Sequence, residues 1–304
     1  MVEGDKVIKL RSAEKKDKEG ILSIASATWE GWDYVPLFLD SWIDEGGLYV
    51  AEYEGSIVGI TKTTELGKGE LWLEAIRVAE EHRGKGWGFR IARIQLDYAL
   101  AANPRNIRLS TADINAASLA VIRRLGFTIY AEFDYFLTDE PPTPSSQHRQ
   151  QAQATVQVKP GESSSVWKLI CDSEEYGASR GLLPHTWKFY DWTRERFDEL
   201  VVAGLVFQPR DARGVVVFVK NRYTPQNLEL AFIEGEDTAL ASLVGFVQER
   251  FTQAASEASD GKYAAYAAGQ RKCEIIRRIG LKPHPRVHKV KVFDYPLLHP
   301  DEKT

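Results

Sequence analysis

A chain of 304 residues that is 43% hydrophobic and 27% charged has the apolar content of a soluble globular protein and the length for two ordinary domains. Its net charge of -4 gives no bulk attraction to phosphate backbones, so nucleic acid is not an expected partner. The opening MVEGDKVIKL has no apolar signal segment and the densest apolar run, GVVVFVK, is far short of a membrane span; two cysteines, Cys171 and Cys273, make neither a disulfide framework nor a metal cluster. A cytoplasmic protein without a membrane partner is expected.

In chain order, the apolar pattern gives a strand over 7–10, one or two helices within 18–45, a hairpin over 48–64 and a longer strand over 70–79. A helix follows over 87–102, where Ala92, Leu96, Ala99 and Leu100 recur at helical spacing, then a strand over 107–112, a helix over 116–125 and a strand over 128–137. Hairpins mixed with helical crossovers imply an α/β fold (α+β mixed sheet) with helices on both faces.

The stretch TDEPPTPSSQHRQQAQAT is rich in Pro, Ser and Gln, lacks apolar periodicity, and reads as an exposed linker. It divides the chain into domains 1–138 and 156–304, with the linker at 139–155. The two halves resemble each other. AVIRRLGFTI, from Ala120, has a counterpart in EIIRRIGLKP, from Glu274, an offset of 154 residues, and Gly126 and Gly280 follow the two helix ends. GGLYVAEYEGSIVGITKT similarly faces AGLVFQPRDARGVVVFVK, and LWLEAIRV faces LELAFIEG. Three matches in one order argue for an internal duplication.

Residues 83–88 read RGKGWG, at a strand-to-helix turn. Neither a Walker loop nor a GxGxxG dinucleotide fingerprint fits the spacing. The physics common to such loops remains: glycines let successive N–H groups point inward, and the helix that follows adds partial positive charge, so a pyrophosphate would fit. The bland alternative is a solvated turn.

The string VAEEHRGKGWG resembles the signature of the GNAT superfamily of acetyl-CoA-dependent N-acetyltransferases, through Val78, Arg83, Gly86 and Gly88. A second family element, an Asn opening a helix that ends in Gly-Phe, is similar to NAASLAVIRRLGF, with Asn115, Ser118, Gly126 and Phe127 in register. The resemblance covers the first half and, with the duplication, implies two tandem GNAT-like acetyltransferase folds. It implies that the backbone of Ile76, Arg77 and Val78 holds the pantetheine arm and acetyl carbonyl of acetyl-CoA. The amides of Arg83, Gly84, Lys85, Gly86, Trp87 and Gly88 would hold the pyrophosphate, and Asn115 with Ser118 would meet the pantetheine. A helix N-cap is the other reading of Asn115.

Transfer to an amine needs a base for its proton. Glu74 is the candidate catalytic residue; strict alternation puts Trp72, Glu74, Ile76 and Val78 on one strand face, and the alternative is an ion pair with Arg77 or Arg108. Family members often carry a tyrosine, seven residues after the Asn, to protonate the leaving thiolate. Here that position is Ile122, leaving Tyr130, Tyr135 or water. The second half replaces the glycine loop with EGEDTALAS, whose Glu234, Glu236 and Asp237 would repel a pyrophosphate, and replaces Asn115 with Gly269, so it reads as a degenerate copy. Trp29, Trp32 and Tyr34 beside Glu30 and Asp33, and Trp187, Phe189, Tyr190 and Trp192 in the second half, are candidates for acceptor-site walls or for core. His284 and His288 read as surface residues, and no metal is expected. The function these readings imply is acetyl transfer to a small amine or amino acid. The alternatives are a protein N-terminal or lysine acetyltransferase, and a non-catalytic CoA-binding regulatory protein.

Overall fold

The computed structural model describes residues 7–28, 33–222, 228–257 and 262–297. They form two compact units, the first drawn from the described residues within 1–109, 115–128 and 293–304, the second from those within 110–114 and 129–292.

The first unit begins with β1 (Lys9–Ser12), α1 (Lys18–Ser26) and α2 (Val35–Glu45). Next come β2 (Leu48–Tyr53), β3 (Ser56–Gly67) and β4 (Glu70–Val78), then α3 (Trp87–Ala101), β5 (Asn106–Ala112) and α4 (Ala116–Arg124). β1 to β4 pair in sequence as antiparallel neighbours, with β1 beside β2, and β5 lies parallel to β4. The β2–β3 hairpin turns on Glu54 and Gly55, both at positive φ, as a two-residue turn of matching twist requires. On α2, Val35, Leu39 and Trp42 recur at spacings of four and three, so one stripe faces the sheet. They join Ile21 and Ala25 of α1 over Val50, Ile60 and Ala75. The opposite face is covered by α3 and α4, where Ala92, Leu96, Leu119 and Ile122 meet Leu73, Ile107 and Phe293.

Phe293 comes from the far end of the chain and is 2% exposed in this core. Beside it Tyr295 packs edge-on against Phe127 at 5.2 Å and donates its N–H to the Ile107 carbonyl at 2.9 Å. The Arg108 Nε donates to Asp294 at 3.0 Å.

The second unit contains β6 (Thr128–Thr138), α5 (Ser146–Ala152), β7 (Thr155–Gln157), α6 (Ser163–Cys171) and α7 (Glu174–Ala178). A small hairpin, β8 (Leu182–His185) and β9 (Lys188–Asp191), precedes α8 (Arg194–Val202), β10 (Val206–Pro209), β11 (Gly214–Lys220) and β12 (Leu228–Gly235). It closes with α9 (Asp237–Glu257), β13 (Tyr263–Ala267), α10 (Gln270–Ile279) and β14 (Lys289–Asp294). β7, β10, β11 and β12 are antiparallel in that order, β13 is parallel to β12, and β6 lies antiparallel to β13. The arrangement repeats that of the first unit, with α6 and α8 over one face and α9 and α10 over the other. The expected mixed α/β fold is therefore present.

Two expectations change. The stretch 139–155 is not a plain linker. Ser145 caps α5 by accepting the His148 N–H at 3.1 Å, His148 Nδ1 lies 2.8 Å from Gln248 Oε1 on α9, and Ala152 is 1% exposed. Gly245 makes this approach possible, since a Cβ there would fall 2.4 Å from the His148 carbonyl oxygen. Nor do boundaries at 138 and 156 separate the compact units, because the strand after α4 joins the second unit and the residues after 292 join the first.

Candidate active site

β4 and β5 are in register from Glu70↔Asn106 to Trp72↔Arg108 only, so the parallel pair is closed at the start of β4 and unpaired beyond. In the unpaired stretch β4 is irregular. Its register against β3 shifts between Ile60 and Lys62, and Ala75 takes φ +57°, a left-handed conformation uncommon for a residue with a Cβ. The extra residue reverses the alternation. Leu71, Leu73 and Ile76 pack on the α3–α4 side and Val78 beside Ile91, whereas Ala75 joins the α1–α2 core. Arg77 reaches Asp33, the residue before Tyr34 and α2. The expected shared face for Trp72, Glu74, Ile76 and Val78 is thus corrected: the bulge separates Glu74 from Ile76 and Val78.

Past β4 the chain makes one 3-10 turn at Glu80–His82 and then the glycine turn. Gly84 and Gly86 have φ +73° and +81°, and a Cβ on either would meet nothing within 4 Å. These glycines are thus required by backbone conformation and leave open space before them. Gly86 is the N-cap of the fifteen-residue α3 and has no side chain to satisfy the helix's first N–H groups. Such a terminus attracts an anion through its amides and its dipole. Arg83 Nε donates to the Val78 carbonyl at 3.0 Å and its Nη2 to Thr28 Oγ1 at 3.3 Å, while Lys85 Nζ donates to the Glu81 carbonyl at 2.8 Å. Trp87 is turned inward, against Tyr53 at 4.7 Å and His82 at 4.8 Å, so its ring fixes the turn from beneath. Gly88 faces Val78, whose Cγ2 would lie 3.8 Å from an added Cβ.

On the α1–α2 side, Glu74 Oε1 accepts a hydrogen bond from Thr64 Oγ1 at 2.6 Å. Arg77 pairs with Asp33 at 2.7 Å and Arg108 with Asp294 at 3.0 Å. Arg77 grips Asp33 with two nitrogens, at 2.7 and 2.9 Å, and its third donates to the Ile76 carbonyl at 3.1 Å. Burial works against the Arg77 charge, but the hydrogen bonds it donates to Asp33, with the nearby Tyr34 and the Asp33 charge, more than offset it and its pKa is raised. Its guanidinium carbon lies 5.2 Å from the Tyr34 ring centre, and burial pushes the Tyr34 phenol up to about 12. Asp33 is therefore a partner for Arg77 rather than an open anion for an organic cation. Trp29, Glu30 and Trp32 lie outside the described residues. A cavity of about 500 Å³, bounded by Gly46, Gly47, Lys62, Thr64 and Tyr98, touches none of the residues expected to hold a cofactor.

Asn115 caps α4, its Oδ1 accepting the Ser118 N–H at 3.1 Å. Ile122, where the family tyrosine is expected, is 5% exposed and belongs to the core. Tyr130 donates to the Arg180 carbonyl at 3.3 Å, and burial raises the pKa of the Tyr135 phenol.

In the second unit the counterpart of this turn is closed. Only Glu236 separates β12 from α9, and Arg271 occupies the junction, donating to Glu234 at 3.0 Å and to the Gly235 carbonyl at 2.7 Å. β12 repeats the irregularity of β4, with a register shift that skips Ala231. The Ala231 carbonyl receives the buried Lys272 ammonium at 2.6 Å, and Lys272 also meets Glu175 at 3.2 Å. Burial lowers the Lys272 pKa. Glu175 in turn accepts the Gly269 N–H at 2.6 Å. Phe189 and Trp192 are buried in the core, which settles those two rings as packing. His284 stacks on Tyr135 at 5.2 Å and accepts from the Val287 N–H at 2.9 Å. Among the described residues no group of three possible metal ligands occurs, and no helix is long and apolar enough to cross a membrane.

Sequence reasoning missed Thr64, the Asp33–Arg77 pair and Lys272. The register of a hairpin and the reach of a buried cation leave no local pattern; the alternating polar residues Lys62 and Thr64 on β3 were the available sign of a polar strand face.

Residues 18–127 match the model of the Acetyltransferase (GNAT) family. A histidine N-acetyltransferase of Xenopus tropicalis is 36% identical over 77 residues, spanning 24% of this chain and 24% of that protein. A GCN5-related N-acetyltransferase from Sphaerobacter thermophilus superposes with a TM-score of 0.61 at 14% identity, covering 97% of this chain and 98% of its own. One from Kribbella flavida superposes with a TM-score of 0.51 at 12% identity over 94% of this chain and 71% of its own. With the split, bulged β4 and the glycine turn in place, residues 18–127 resemble the GNAT acetyltransferase family, and the chain has the GNAT fold.

Proposed function

We propose that the protein is an acetyl-CoA-dependent N-acetyltransferase acting on the amine of a small molecule or amino acid. The observation that carries this reading is the turn at Gly84 and Gly86, with positive φ at both positions, open space before each and an uncapped α3 behind. That arrangement fits a pyrophosphate, held by the amides of residues 83–88. The backbone of residues 76–78, on the unpaired stretch of β4, would hold the pantetheine arm, with Asn115 and Ser118 on the other side of the split. Bound acetyl-CoA supplies an activated thioester. This chain's residues would orient the acceptor amine, with Glu74 receiving its proton directly or through water. The name of the Xenopus relative favours an amino acid acceptor.

The second unit is read as a degenerate copy of the same fold that holds no cofactor. The shared strand order and repeated bulge support the duplication, while the short β12–α9 link and the buried Lys272 ammonium on the Ala231 carbonyl argue against binding. Ile122 in the core favours one further reading, a CoA-binding regulatory protein, because the usual proton donor to the thiolate is missing there. Mass spectrometry after incubation with acetyl-CoA and a panel of amino acids, diamines, and peptides with free N-termini or lysines separates these readings. Acetylation of an amino acid or small amine is expected. Acetylation of peptides alone would move the acceptor class, and binding without any product would favour the regulatory reading.

A further inference from the structure

Thr64 stands on β3 one diagonal step from Glu74, since Thr64 is in register with Trp72 and Lys62 with Glu74. Its hydroxyl donates to Glu74 Oε1 at 2.6 Å, at the short end for an O–H···O bond and in the range of charge-assisted ones. The bulge at Ala75 directly follows Glu74, so the main chain at this point is bent and does not by itself dictate where the carboxylate goes. A hydrogen bond from Thr64 on the neighbouring strand holds it. Such a bond fixes the rotation of the carboxylate plane and holds one oxygen, which sets the direction available to an incoming amine.

We infer that Thr64 is a positioning residue for acetyl transfer, acting through Glu74: it holds the carboxylate in the orientation from which it meets the acceptor. The inference rests on Glu74 as the proton acceptor. It assigns Thr64 no contact with acetyl-CoA. The hydroxyl is the working group; the methyl is not.

The test is steady-state kinetics on the full chain with the acceptor found by the amine panel, for Thr64→Val, Thr64→Ser, Glu74→Gln and the Thr64→Val/Glu74→Gln double variant. Valine keeps the shape and removes the donor. A hydrogen bond to a charged group supports an effect of about tenfold or more on kcat, with the KM for acetyl-CoA within about threefold of the parent. Thr64→Ser should restore most of the rate. In the Glu74→Gln background, Thr64→Val should cost nothing further, because a residue that acts only through another is silent once that partner is removed. A parental rate for Thr64→Val alongside an impaired Glu74→Gln would overturn the positioning role and leave the base in place. A parental rate for Glu74→Gln itself would overturn the base, and the inference with it. Loss of rate that serine fails to restore, or that persists undiminished in the double variant, would show that Thr64 serves packing instead.

Discussion

Arg77 on β4 and Asp33 ahead of α2 form a two-armed ion pair, at 2.7 and 2.9 Å, with the Asp33 side chain 1% exposed and that of Arg77 11% exposed. The same aspartate accepts the Val35 N–H at 3.1 Å, so it also anchors the start of α2. One residue pair thereby ties the chain entering α2 to the carbonyl of Ile76 in the split of β4. Removing one member of a buried pair leaves the other charge without compensation, so Asp33→Asn should lose about 3 kcal/mol of stability in denaturant titration. An Asp33→Leu/Arg77→Met double variant should regain much of that loss. It should still show a raised KM for the acceptor, with acetyl-CoA affinity little changed, because the tie between the two segments is gone. An unchanged acceptor KM would confine the pair to stability.

Gly86→Asp should abolish acetyl-CoA binding in calorimetry. The φ of +81° disfavours any Cβ, by about 1 kcal/mol, and the carboxylate would stand in the space before the α3 amides. Because that space is open, melting temperature should fall by only a few degrees. Retained affinity would show that the anion is held elsewhere.

Ending the chain at Val292 should destroy acetyl-CoA binding although it removes none of the proposed cofactor residues. The deletion takes away Phe293 from the core of the first unit, Asp294 from Arg108 and Tyr295 from Phe127. Circular dichroism and titration together read this out. A truncated chain that binds normally would contradict the assignment of these residues to that unit.

Glu229 gives a pH signature. Burial pushes its carboxyl up to about 7, against three hydrogen bonds from Thr186 and Asn221 that favour the anion. The folded state then holds a proton that the unfolded chain, with an ordinary value near 4.5, has released. The contribution to stability is full below about 4.5 and is lost as pH rises through about 7. Denaturant titrations between these limits should show stability falling with pH, and Glu229→Gln should flatten the trend. A slope of unchanged size in the variant would assign it to other groups.

The turn at residues 83–88 was legible because positive φ calls for glycine, and its glycines stand at the chain reversal itself. The facing of Glu74 was not, because the bulge uses Ala75, a residue with no conformational mark in sequence. α5 stayed hidden for a related reason: its sequence is polar, and what holds it is the Ser145 cap and the absent side chain of Gly245 a hundred residues on. The destinations of β6 and β14 were equally invisible, since a strand's alternation is the same whichever unit it completes. At the expected offset of 154 residues Lys272 stands opposite Ser118, but that this lysine is buried against the Ala231 carbonyl follows only from the structure.

The account stands most directly on the release of CoA thiol from acetyl-CoA, followed with the best acceptor from the panel in the parent protein and in Glu74→Gln. It predicts acceptor-dependent thiol release in the parent and a rate lower by about a hundredfold or more in the variant at neutral pH, with acetyl-CoA affinity within a few fold. Equal rates in the two proteins, or no acceptor-dependent thiol release from a parent that binds acetyl-CoA, would contradict it.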